Sequence, residues 1–208
     1  MVRRKIIGFQ KTFLTLRQNF ITMQAITQTT HWTYEDMVKN LPAESQYELR
    51  DFNLIEMPSP KPKHQRIVHR LVKLIDTFIE GKNIGELFLS PLDVVFQKGD
   101  VSQPDLIFIA TDNKQIIKES HIAGAPDLLV EVVSKGSVAR DYIEKRNDYR
   151  KFGVKEYWII DSLNESIWVY ILTENAQYDL HSCAEETEIA KSKFFEGFEM
   201  AHELIFGE

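Results

Sequence analysis

Cysteine is nearly absent: Cys183 is the one cysteine in 208 residues. No intrachain disulfide can form, and a reducing, cytoplasmic setting is expected. Long hydrophobic runs are missing as well. No stretch approaches the roughly 20 apolar residues that a bilayer-spanning helix needs, so no membrane association is expected. The Cys-x-x-Cys and His-x-x-x-His spacings that mark zinc do not occur. Basic residues fall short of acidic ones, giving a net charge of −6. That balance argues against broad non-specific contact with nucleic acid; such a partner would need basic residues gathered in one cleft. Repeats, low-complexity tracts and interdomain linkers are lacking too, and with 43% hydrophobic residues the chain has the composition of one globular domain.

Acid is locally absent from the first 22 residues, where Arg3, Arg4, Lys5, Lys11 and Arg17 give +5 and leave −11 for residues 23–208. Ile6-Ile7-Gly8-Phe9 is too short for the apolar core of a secretory signal. The expectation is that Met23 begins the natural protein, with residues 1–22 an upstream extension or disordered tail. A basic DNA-contacting arm is the alternative.

The stretch that organises the rest is residues 126–152. In Leu128-Leu129-Val130-Glu131-Val132-Val133 one carboxylate interrupts five apolar residues, as in a strand covered on both faces. Glu131 shares a face with Leu129 and Val133, and an ionised acid there needs a cation or hydrogen-bond donors. In the helix that follows, positions 138, 142, 145, 149 and 152 keep an inward spacing. Val138, Tyr142, Tyr149 and Phe152 fill four of them, and Lys145 is the fifth. Alone, Glu131 and Lys145 read equally well as a buried ion pair.

Asp105 tips that balance. It opens another apolar strand, Asp105-Leu106-Ile107-Phe108-Ile109, behind Pro104. If the strands starting at Asp105 and Asp127 are antiparallel neighbours, the start of one lies beside the end of the other. Two carboxylates and a lysine would then meet at one end of a sheet. Such a set can hold a hard divalent cation and act on a phosphodiester, because Mg²⁺ takes one or two carboxylates together with water and substrate oxygens.

Pro104-Asp105, Glu131 and Lys145 resemble the core of the PD-(D/E)xK nucleases. More narrowly, the chain resembles the restriction-endonuclease family abundant in cyanobacteria and other bacteria. The segments that carry the likeness are YELRDFNLIEM (47–57), SPKPKHQRIVHRL (59–71), QPDLIFI (103–109), PDLLVEVVS (126–134), RDYIEKRNDYRKFGVKEYWIIDS (140–162) and IWVYIL (167–172). Their order and spacing are specific where each alone is weak. The usual acid-x-Lys of the third strand reads Glu131-Val132-Val133 here. The resemblance implies that the lysine has moved to the next helix, which makes Lys145 the candidate. Ser134-Lys135-Gly136-Ser137 and Asp51-Phe52-Asn53 also depart from the family's usual turns, without removing a metal ligand.

The resemblance implies an α/β fold of restriction-endonuclease-like type, with a central mixed sheet flanked by helices and an N-terminal hairpin. It also implies Mg²⁺-dependent hydrolysis of DNA, with Mn²⁺ as a substitute. Asp105 and Glu131 would bind the metal, and Lys145 would stabilise charge or orient the water. His64 is placed by the resemblance at a helix start, where it can bind phosphate or assist proton transfer. Glu48 is an accessory ligand or water-positioning group, or else a solvated strand acid. A homodimer is expected, since cutting both strands of a duplex suits two-fold symmetry. Two other readings stay open: a catalytically silent nuclease-like module that binds DNA or a protein, and an oligomerising module whose charged trio is only a buried ion-pair network.

Elsewhere, Thr33 reads as the N-cap of a short helix ending near Leu41, and Tyr47–Arg50 and Leu54–Met57 as a hairpin. A helix spans about 63–80 with Ile67, Leu71, Leu74 or Ile75, and Phe78 inward. Residues 111–125 read as an exposed connection in which His121 has no role. Gly153 should end the Lys145 helix, and strands follow at 155–161, 166–172 and 177–181. Trp158, Trp168, Tyr170 and Tyr178 read as sheet packing, with base stacking the functional alternative. The apolar tail, Phe194 to Phe206, should dock on the core or on a second subunit.

Overall fold

The computed structural model describes residues 31–42 and 45–207. The expected boundary at Met23 and the basic extension 1–22 lie outside the described residues. In chain order the elements are α1 (Tyr34–Asn40), β1 (Tyr47–Arg50), β2 (Asn53–Glu56), α2 (Pro62–Ile79), β3 (Gly85–Leu89), β4 (Val94–Gln97), β5 (Asp100–Ser102), β6 (Leu106–Ala110), a 3₁₀ segment (Thr111–Ile116), β7 (Ile122–Ala123) and β8 (Leu128–Val133). A π-helical turn (Arg140–Lys145) then runs into α3 (Arg146–Phe152), followed by β9 (Glu156–Asp161), β10 (Ser166–Leu172), β11 (Tyr178–Glu185), β12 (Ile189–Lys191), β13 (Glu199–Ala201) and α4 (His202–Phe206).

A six-stranded mixed sheet, in the order β11-β10-β9-β8-β6-β3, carries the molecule. Only β8 and β9 within it are parallel, joined by the crossover through the π-turn and α3. Both faces of β8 are covered, as its apolar run requires. Leu128, Val130 and Val132 pack with Ile67, Leu71 and Ile75 of α2 and with Phe195, Phe198 and Ile205 of the tail. Leu129 and Val133 face the opposite way, among Val94, Tyr149 and Tyr157. The fold is the expected α/β architecture, and the tail docks on its own core.

Local chemistry explains several element ends. Thr33 and Asp36 form a reciprocal capping box on α1, and Gly153, at φ 88°, terminates α3 in the left-handed region. The hairpin β1–β2 is more than an appendage. It joins β5, β4 and β7 in a second, five-stranded sheet, which residue patterns did not indicate because β5 and β7 are only three and two residues long.

The crossover helix also differs from expectation. Its first turn is π-helical, and the extra residue per turn shifts the inward stripe by one position. Val138 is therefore exposed rather than inward, while Asp141 is buried. Beyond the shift, Lys145 and Tyr149 face inward as expected.

Candidate active site

The antiparallel register of β6 against β8 pairs Leu106 with Val130. One residue earlier, Asp105 stands across from Glu131 and its neighbour Val132. The Val132 backbone N–H donates to Asp105 Oδ2 at 2.7 Å, so the acid is fixed at the strand end by the sheet itself. His64, in the first turn of α2, places Nε2 3.1 Å from the same oxygen. With Nε2 protonated, His64 donates to Asp105 and its Nδ1 is left buried without a partner.

Glu131 is held from the other side of the sheet. Lys145 Nζ donates to Glu131 Oε1 at 2.8 Å, and the Tyr149 hydroxyl donates to that same oxygen at 2.6 Å. Lys145 Nζ also lies 2.8 Å from Glu48 Oε1. Glu48 in turn accepts the backbone N–H of Gln103 at 2.9 Å, which ties β1 to the approach of β6. Glu48 is buried, so it is not a solvated strand acid. The structure thus brings together all five sequence candidates: Asp105, Glu131, Lys145, His64 and Glu48. They do not share one surface, however. Asp105, Glu131 and His64 line an open cleft of about 650 Å³, whereas Lys145 and Glu48 sit behind that lining.

Electrostatics follows from this burial. Desolvation pushes Glu131 well above the ordinary carboxylate range, and nearby Asp141, Asp105 and Glu48 add to that against the pull of Lys145. Burial alone would lower the Lys145 pKa, yet Glu131, Glu48 and Asp141 together hold it well above the usual lysine value. For His64, burial is likewise outweighed by the hydrogen bond and charge of Asp105 and by Asp141, so its pKa rises.

Two participants were not legible from the sequence. Asp141 lines the cleft, and burial raises its pKa to about 6. The expected stripe puts Tyr142 at that turn; the π-turn brings its neighbour Asp141 inward instead. Tyr149 was visible only as a member of the apolar stripe, since its hydroxyl contributes no periodic signal.

Among the described residues, no set of three or more His, Cys, Asp or Glu side chains converges tightly enough to hold a metal ion. A two-carboxylate site is a different matter, because Mg²⁺ completes its shell with water and substrate oxygens. The bonds described above use Oδ2 of Asp105 and Oε1 of Glu131. The second oxygen of each acid is neither engaged in them nor shut away without a partner. Hard carboxyl oxygens facing one cleft suit a hard divalent cation, and one bound there would favour the ionised form of Glu131, which burial first and the neighbouring acids second disfavour.

Residues 33–203 match the family described as "Putative restriction endonuclease". The structure is similar to the crystal structure of a putative nuclease belonging to DUF820 from Anabaena variabilis, with a TM-score of 0.69 at 20% identity. That likeness covers 84% of this chain and 97% of the other, and at such identity it speaks for the fold alone. Among curated proteins none matches.

Proposed function

Because the chain belongs to the "Putative restriction endonuclease" family, we propose that it is a Mg²⁺-dependent endonuclease that hydrolyses DNA phosphodiester bonds at this cleft. The observation that carries the reading is the pairing of Asp105 and Glu131 across the ends of β6 and β8, each with an oxygen left for a cation. When bound, the cation would lower the pKa of water and stabilise the charge that builds up at phosphorus.

The protein's own groups orient the acids. Val132 N–H and His64 hold Asp105 Oδ2, and Lys145 holds Glu131 Oε1. Glu48 and Glu131 together keep Lys145 protonated, so its charge acts from directly behind the reacting phosphate rather than by touching it. Lys61 and Lys135 border the same cleft and are exposed; they would meet the phosphates that flank the scissile one, giving an acidic protein its local cationic surface. A homodimer acting on both strands, in the cytoplasm, completes the proposal. No helix among the described residues is long and apolar enough to cross a membrane.

One observation favours the reading in which the charged trio is only a buried ion-pair network. Lys145 lies behind the cleft lining, paired with two acids, as a purely structural ion-pair network would have it. Nicking of supercoiled plasmid decides between them. The nuclease reading expects nicking that needs Mg²⁺ or Mn²⁺, stops with chelator and disappears in Asp105→Asn. DNA binding with no metal-dependent turnover would replace it with the silent module.

A further inference from the structure

The Tyr149 ring is fully buried, with Phe96 and Tyr157 at centroid distances of 5.7 and 5.1 Å. For packing alone, phenylalanine would serve. The hydroxyl is what needs explaining, because a buried O–H must find an acceptor. The neighbouring buried tyrosine spends its hydroxyl on the backbone: Tyr157 donates to the Asp141 carbonyl at 3.0 Å. Tyr178, at the edge of the same cluster, likewise donates to the Val154 carbonyl, at 2.8 Å. Tyr149 instead donates to the side chain of Glu131, at 2.6 Å, and to the oxygen that Lys145 already holds.

Lys145 and Tyr149 are four residues apart on one helical face, so a single rigid element supplies both donors. A carboxylate held at one point can rotate about its terminal torsion. Two donors converging on Oε1 fix that torsion and leave Oε2 facing the cleft. A neutral phenol does this without adding a second positive charge that would repel a cation.

We propose that Tyr149 is a positioning residue of the site: with Lys145 it pins Glu131 Oε1 and so presents Oε2 to a divalent cation. The assignment rests on the reading of Glu131 as a metal ligand.

Titration calorimetry of Mn²⁺ into the full chain tests it, with melting temperature measured in parallel. Outer hydrogen bonds to metal-ligating groups typically change metal affinity by about 10–100-fold. Tyr149→Phe should weaken Mn²⁺ binding by that factor, and p-aminophenylalanine at 149, which keeps the ring and a donor, should restore most of it. Phe96→Leu loosens the ring's packing while sparing the hydroxyl; it should lower the melting temperature and leave Mn²⁺ affinity close to that of the unaltered protein. A tyrosine that acts only through its packing predicts instead that Mn²⁺ affinity falls together with the melting temperature in Phe96→Leu and does not depend on a donor at 149. If Tyr149→Phe does not fold, the p-aminophenylalanine chain decides alone: retained affinity upholds the role, and lost affinity in a folded chain overturns it. Unchanged binding in a folded Tyr149→Phe chain also overturns it while leaving Glu131 as a ligand. No binding by the unaltered protein removes both.

Discussion

Lys145→Met removes the ammonium shared by Glu48 and Glu131 while nearly keeping the side chain's volume. Both acids are buried, and each has an oxygen 2.8 Å from Nζ. At an effective dielectric near 20, each pair at that spacing amounts to about 6 kcal/mol of raw attraction. Much of this offsets the desolvation of three charges, so the measurable quantity is the cost of orphaning the acids, about 3–5 kcal/mol for a broken buried pair. The pH dependence has a definite sign. The folded pKa of Glu131 already lies above its unfolded value, so its ionised form costs stability above the ordinary carboxylate range. Without Lys145 that pKa climbs further. The deficit should be largest at pH 7–8 and shrink toward pH 4, where the carboxyl is protonated in both states. Urea denaturation followed by circular dichroism, with chelator present, reads both effects. Adding Glu131→Gln should recover part of the loss, as neighbouring partners are not additive. A deficit below about 1 kcal/mol, or one that does not change with pH, would mean that Lys145 does not hold the two acids as a buried ion pair.

Other outcomes are equally specific. Asp105→Asn should leave the melting curve close to that of the unaltered protein, because its amide oxygen can still accept from Val132 N–H, while metal-dependent nicking disappears. Glu156→Ala should cost on the order of 3 kcal/mol in denaturation. This buried carboxylate accepts from Trp158 Nε1, the Ser192 hydroxyl and the N–H groups of Lys193 and Phe194, and so clamps the tail to β9. Thr33→Ala breaks the capping box of α1 and should cost about 1 kcal/mol by the same assay. Replacing Lys61 and Lys135 together with alanine should weaken DNA binding and lower its salt slope by about 1 for each phosphate no longer neutralised; an unchanged slope would remove them from the DNA path.

Much of the site could be read in advance because strands announce themselves by apolar runs. Two such runs, each carrying one acid near a defined end, fix how Asp105 and Glu131 meet once the strands are antiparallel neighbours. The N-cap at Thr33 and the stop at Gly153 were legible for the same reason, since each rests on one residue's own chemistry. What escaped depends on backbone geometry that side-chain pattern does not encode. The π-turn replaces Val138 and Tyr142 by Ser137 and Asp141 on the inner face, a one-residue drift that a constant period of 3.6 does not show. The second sheet rests on β5 and β7, too short to display alternation, and on long-range pairing of β1 with β5. That Lys145 sits behind the cleft rather than on its surface follows from Glu48 reaching it through that second sheet.

The proposed nuclease activity stands on Asp105 and Glu131 forming a divalent-cation site. Calorimetric titration of Mg²⁺ into the full chain, against Asp105→Asn and Glu131→Gln, tests it most directly. Saturable binding to the unaltered protein, lost in either variant while both remain folded, is the predicted result. Binding that survives both substitutions, or fails in the unaltered protein even with DNA present, would mean that these two acids hold no cation.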